Sequence, residues 1–150
     1  MSLKAQLDND LKAALLGGDR FRTEVLRGLK AAILNEEVSQ GKRESGLDDT
    51  TIETIIVREV KKRADSAVQY QAAGRPELVL AEQAESKIIE AYLPEQTSEA
   101  DIQKVIDETI ATMGVSGMQA MGQVIGAVKA KLGNSADGGT IARLVKATLA

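Results

Sequence analysis

Closely spaced carboxylates are the reactive groups most easily picked out of this chain: Glu36 beside Glu37, Glu82 three residues before Glu85, and Asp107 beside Glu108. Such pairs do general acid–base work only where burial or a neighbouring charge drives their pKa values apart. On helix faces turned to water they are ordinary solvated side chains, and that is how these pairs read. The chain has no Cys and no His. Thiolate nucleophiles, imidazole bases, disulfides and the usual zinc ligands are therefore absent together, and self-contained catalysis would rest on carboxylates, Lys, Tyr and hydroxyls alone. No cofactor or metal is expected. The glycine-rich run Gly133-Asn134-Ser135-Ala136-Asp137-Gly138-Gly139 would need a preceding strand to act as a phosphate loop. None is signalled, so it reads as a turn between helices, with Asp137 available to cap the second.

Two constellations stand out. Glu85 falls at the centre of an apolar helical arc formed by Leu78, Ala81, Ile88, Ile89 and Tyr92. A carboxylate there calls for a partner, and Arg63 or the Tyr70 hydroxyl on the preceding helix could supply one. Glu59 and Arg63 are themselves spaced for a favourable helical ion pair. A catalytic carboxylate is the alternative. The second constellation lies near the end of the chain. Residues 117–150 carry Lys129, Lys131, Arg143 and Lys146 against the single carboxylate of Asp137, a net charge of +3 in a chain of net −3. Gly122, Gly126 and Lys129 share one side of a helix, exposing bare backbone beside an ammonium group. That lane either lets a neighbouring helix approach closely or lets a nucleic-acid backbone lie against it, assisted by Arg143 and Lys146.

The elements that must position these groups are all helical. Ser2 caps a first helix with Leu3, Leu7, Leu11 and Ala14 or Leu15 inside, and Gly17-Gly18 ends it. Asp19 caps a second, with Phe21, Val25, Leu29, Ala32 and Ile33 as its buried stripe, Leu26 at the edge, and an end near Gly41. Thr50-Thr51-Ile52-Glu53 resembles a capping box and opens a long third helix with Ile52, Ile56, Val57, Val60, Ala64, Ala67 and Val68 inward. Its end is set by Gly74, and Pro76 begins a fourth. After these, Ile102, Val105, Ile106, Ile110 and Met113 line a fifth helix. Met118, Met121, Ile125, Val128 and Leu132 line a sixth, and Ile141, Leu144, Val145 and Leu149 a seventh.

A joint divides the series. Leu93 precedes Pro94 and is pushed away from helix, while Ser98, followed at the box spacing by Asp101, starts the next one. The expected architecture is all-α: an antiparallel domain of about four helices over 1–93 and a small three-helix domain over 94–150. Aromatic residues make up only 2% of the chain, so aliphatic side chains must fill both cores. No apolar run approaches the ~20 residues needed to span a bilayer. Met1-Ser2-Leu3-Lys4 does not open a signal peptide, and the expectation is a cytoplasmic protein without a membrane partner.

Several of these residues also carry a family resemblance. Arg58-Glu59-Val60-Lys61-Lys62-Arg63 with Asp65-Ser66, then Tyr70, Ala73-Gly74-Arg75, Glu82 with Glu85, and Tyr92-Leu93-Pro94-Glu95-Gln96 resemble the YqeY proteins. Ser116-Gly117-Met118, Met121-Gly122, Gly126 and Ala136-Asp137-Gly138 resemble the segment that YqeY shares with the tail of GatB, the tRNA-handling subunit of the glutamine-dependent amidotransferase. Ser135 and Gly139 stand where many members have basic residues. The resemblance implies an all-α protein of two modules and, as partners, tRNA and possible amidotransferase or other translation proteins. It also implies carbon–nitrogen ligase activity with glutamine as amide donor. The reading adopted is a tRNA-associated accessory without catalysis of its own, binding RNA through Gly122, Gly126, Lys129, Lys131, Arg143 and Lys146. Glu59, Arg63, Tyr70 and Glu85 are assigned to a structural polar link. A protein-interaction adaptor is the main rival, and participation in amide ligation the third.

Overall fold

A computed structural model describes residues 1–150 and contains seven α-helices and no strand. They are α1 Leu3–Leu16, α2 Arg20–Ser39, α3 Asp49–Ala72, α4 Pro76–Glu90, α5 Glu99–Met113, α6 Met121–Leu132 and α7 Gly138–Leu149. Single 3-10 turns precede and follow α6, at Met118–Ala120 and Gly133–Ser135. The chain divides into two compact units, Met1–Leu93 and Pro94–Ala150.

Short polar residues set the helix starts by accepting backbone N–H groups that the first turn leaves over. Ser2, Asp19, Ser98 and Asp137 cap α1, α2, α5 and α7 in this way. The start of α3 differs from the sequence expectation. Asp48, not Thr50, is the cap, its Oδ1 accepting from Thr51 N–H at 2.8 Å, and Thr50 lies within the first turn. The Thr51 hydroxyl and N–H together hold the Asp48 carboxyl below its ordinary range. The next residue works at a distance: Asp49 Oδ1 accepts the N–H of Leu3 at 2.9 Å, so two adjacent aspartates serve the starts of two helices. At the other ends, Gly74 and Gly114 take left-handed φ values of +69° and +65°, which a side chain would strain.

In the first unit α1 packs on α2 and α3, α2 on α3 and α4, and α3 along α4. Leu3 and Leu7 meet Val25, Leu26, Leu29 and Ile33 of α2, Ile52, Ile55 and Ile56 of α3, and Ile89 and Tyr92 at the end of α4. Two positions on α2 correct the expected stripe. Leu26 lies in the core with none of its surface exposed, whereas Phe21 keeps 44% of its surface exposed. The expected inward sector of α3 also fades along its length. Ile52 and Ile56 are fully buried, but Ala64 and Val68 face solvent.

The second unit closes α5, α6 and α7 on one another around Ile102, Ile106, Ala120, Val124, Val128, Ala136, Ile141 and Val145. Its sixth helix is shorter than its apolar spacing suggests. Met118 sits in the preceding 3-10 turn and is exposed, and the core positions are Val124 and Val128, with Met121, Ile125 and Leu132 flanking them. No helix is long and apolar enough to cross a membrane.

Candidate nucleic-acid interface

The second unit presents a smooth, locally cationic face where α6 meets the start of α7. Gly122 and Gly126 are exposed, and a Cβ built on either would meet nothing within 4 Å. No helix approaches there, so close helix packing, one of the two roles open to these glycines, does not account for them. Each glycine within a helix costs about 1 kcal/mol relative to alanine. Lys129 lies on the same side and makes no salt bridge, and its Nζ reaches across to α7, 3.5 Å from where a Cβ on Gly138 would stand. A side chain at 138 would crowd that ammonium group.

The turn behind this face is held by the segment that leads into α5. Thr97 N–H donates to the Ser135 carbonyl at 2.7 Å, the Thr97 and Ser135 hydroxyls are 3.0 Å apart, and Ser135 Oγ donates to the Leu132 carbonyl at 2.6 Å. Ser135 is thus engaged inside the unit. Asp137 turns its carboxylate onto Thr140, accepting the N–H at 2.9 Å and the hydroxyl at 3.1 Å. Gly138 and Gly139 then form the first turn of α7 with bare backbone, at a helix end whose dipole and N–H groups the Asp137 carboxylate already engages.

The other cations of the expected interface are placed differently. Lys131 turns toward α5, donating from Nζ to Thr109 Oγ1 at 2.9 Å, and Thr109 in turn donates to the Val105 carbonyl. Arg143 forms an ion pair with Glu99 of α5. Its charge is compensated there, whereas Lys146 is exposed and makes no salt bridge. Counted over 94–150, the unit is net −1. Positive charge without an ion-pair partner is therefore carried by Lys129, Lys131 and Lys146, while four of the six acidic residues lie on α5.

In the first unit Arg63 draws together three of the four expected polar residues. Its Nε donates to Glu85 Oε2 at 3.2 Å, and its Nη1 donates to Glu59 Oε2 and to the Glu59 carbonyl, each at 3.2 Å. The Tyr70 hydroxyl does not join them. Glu85 keeps 32% of its side chain exposed, because α4 turns this position to the edge of the α3–α4 contact and not to its centre. Glu82 nearby titrates above the ordinary carboxylate range, chiefly through burial and then through the charge of Glu85.

The strongest departure concerns the Glu36–Glu37 pair, read as solvated. Glu37 is 2% exposed and receives Lys4 Nζ at 2.9 and 3.1 Å on its two oxygens. A second unforeseen contact ties the end of α4 to α1, where the buried Tyr92 hydroxyl donates to Asp10. The partners lie 33 and 82 residues apart, and neither contact leaves a signal in local spacing. No three His, Cys, Asp or Glu side chains converge to hold a metal ion.

The fold and this face define a two-unit, all-helical protein with an open glycine lane on its smaller unit. The chain matches the family described as Yqey-like protein over residues 4–149 and belongs to that family. Among curated proteins it is similar to the altered inheritance of mitochondria protein 41, mitochondrial, of three yeasts. The Lachancea thermotolerans protein is 31% identical over 112 residues, covering 73% of this chain and 58% of the relative. The Eremothecium gossypii protein is 35% identical over 89 residues, covering 59% and 48%. The Saccharomyces cerevisiae protein is 29% identical over 107 residues, covering 69% and 56%. The chain spans about half the length of these relatives.

Proposed function

We propose that this YqeY-family protein is a tRNA-associated helical accessory without catalysis of its own, which touches the RNA backbone through the α6–α7 face of its second unit and works in the cytoplasm. The observation that carries the reading is the open lane of Gly122 and Gly126 beside Lys129, whose ammonium group lies at the glycine-rich start of α7. A phosphate there would meet the Lys129 ammonium group and the bare glycine backbone of α6 and of Gly138. The resemblance to the tail of GatB supports RNA as the polyanion. Recognition would be by backbone and shape, without base readout.

Pairing of Arg143 with Glu99 lowers the number of phosphates this face can neutralise to about two or three, so the log–log salt slope should be about −2 to −3. Binding is measured at low salt for the full chain, for Lys129→Ala/Lys146→Ala and for Gly126→Leu. The last variant has open space for its side chain and should fold, yet blocks close approach. A loss of about tenfold or more in each variant is expected. Unchanged binding in both moves the contact elsewhere, and no binding by the wild type at low salt overturns the reading.

A further inference from the structure

Along one side of the α3–α4 pair runs an open groove of about 700 Å³. Its apolar lining comes from Val60, Ala64, Ala67 and Val68 of α3 and from Leu80 and Ala84 of α4. This stretch is unusual within the first unit, since residues 61–88 contain no buried residue at all. The hairpin runs beyond the reach of α1 and α2, and two helices alone can cover only one face of each other. The uncovered face carries both protruding and recessed apolar groups. Val68 and Leu80 stand out at 71% and 66% exposure, while the alanines leave hollows between them.

We propose that this groove is the contact face of a homodimer in which the α3–α4 hairpins of two copies pack about a two-fold axis, as four helices. An isologous interface needs one patch that complements itself. Val68 and Leu80 of one copy fit the alanine hollows of the other in the manner of knobs entering holes, and the pair becomes a four-helix arrangement with an interior. Charge selects the same occupant. Arg63 beside the groove is already held by Glu59 and Glu85, which leaves Lys87 and Glu90, one turn apart on α4 and in no salt bridge, at the rim. A two-fold axis running along the helices keeps Leu80 at the level of the partner's alanines and brings Lys87 of each copy within a turn of Glu90 of its partner. A strongly acidic or basic peptide would find no complementary field on so neutral a rim.

The test is sedimentation equilibrium of the full chain without RNA, from about 1 µM to about 200 µM, a span that captures moderate self-affinities. A concentration-dependent dimer is expected, and Leu80→Glu or Val68→Glu should weaken it on the order of 100-fold. Both side chains are exposed, so helical content should stay unchanged in the variants, as should the melting temperature at concentrations where the wild type is monomeric. Lys87→Glu should weaken the dimer on the order of tenfold, and Lys87→Glu/Glu90→Lys should restore it. A wild type that is monomeric throughout overturns the proposal, as does a dimer that survives Leu80→Glu. A double variant no tighter than Lys87→Glu alone overturns the two-fold pairing.

Discussion

The two units use their charged side chains in opposite ways. In the first, polar groups reach across helices into covered ground: Lys4 to Glu37, Arg63 to Glu85, Tyr92 to Asp10. In the second, the core is aliphatic but for Thr109, and carboxylates and cations stay at helix ends or on the surface, as with Asp137 on Thr140 and Glu99 on Arg143. A charge held inside fixes which helices meet and is lost to any ligand, whereas a charge left outside adds little to stability and is free to bind. This contrast is why the candidate interface lies on the smaller unit, although the larger one has more cations.

The sharpest way to break the contrast is Lys4→Met. It leaves the Glu37 carboxylate buried with no donor, and the cost should be about 3–5 kcal/mol, read from the urea midpoint. Lys4→Met/Glu37→Leu should recover most of that loss, because replacing both partners by apolar groups removes the stranded charge. A change under about 1 kcal/mol in the single variant would mean that Glu37 finds water, and the contrast between units would collapse.

Tyr92→Phe should cost about 1.5–3 kcal/mol near neutral pH, the value of a hydrogen bond to a charged acceptor. Its pH dependence is more specific. Burial, and then the hydrogen bond to the Asp10 carboxylate and its charge, push the Tyr92 hydroxyl up to about 12. A folded-state pKa raised above the unfolded value gives stability that is complete below about pH 10 and is lost as pH rises toward 12. Wild type should therefore lose about 2 kcal/mol more than Tyr92→Phe over that interval. Parallel stability curves for the two proteins would contradict the clasp between Tyr92 and Asp10.

The smallest effect belongs to the second unit. Arg143→Ala removes an ion pair whose two members are both exposed, and should change stability by less than about 0.5 kcal/mol. A loss comparable with that of Lys4→Met would show that surface pairs here are structural, and would erase the distinction between the units.

The amino-acid sequence by itself determined that the protein is all-helical and belongs to the YqeY-like family, together with the caps at Ser2, Asp19, Ser98 and Asp137. These features depend on residues within a turn or two of each other, so periodicity and capping chemistry carry them. Only the tertiary structure decided that Leu26 is central and Phe21 is not, and that Glu37 is buried while Glu85 is partly open. It also decided that Arg143 is paired, that Gly122 and Gly126 face open space, and that the far end of the α3–α4 hairpin is left uncovered. A helical wheel gives the direction in which a side chain points, but burial depends on whether another helix extends that far, and this is fixed by helix length, crossing geometry and the connections between them.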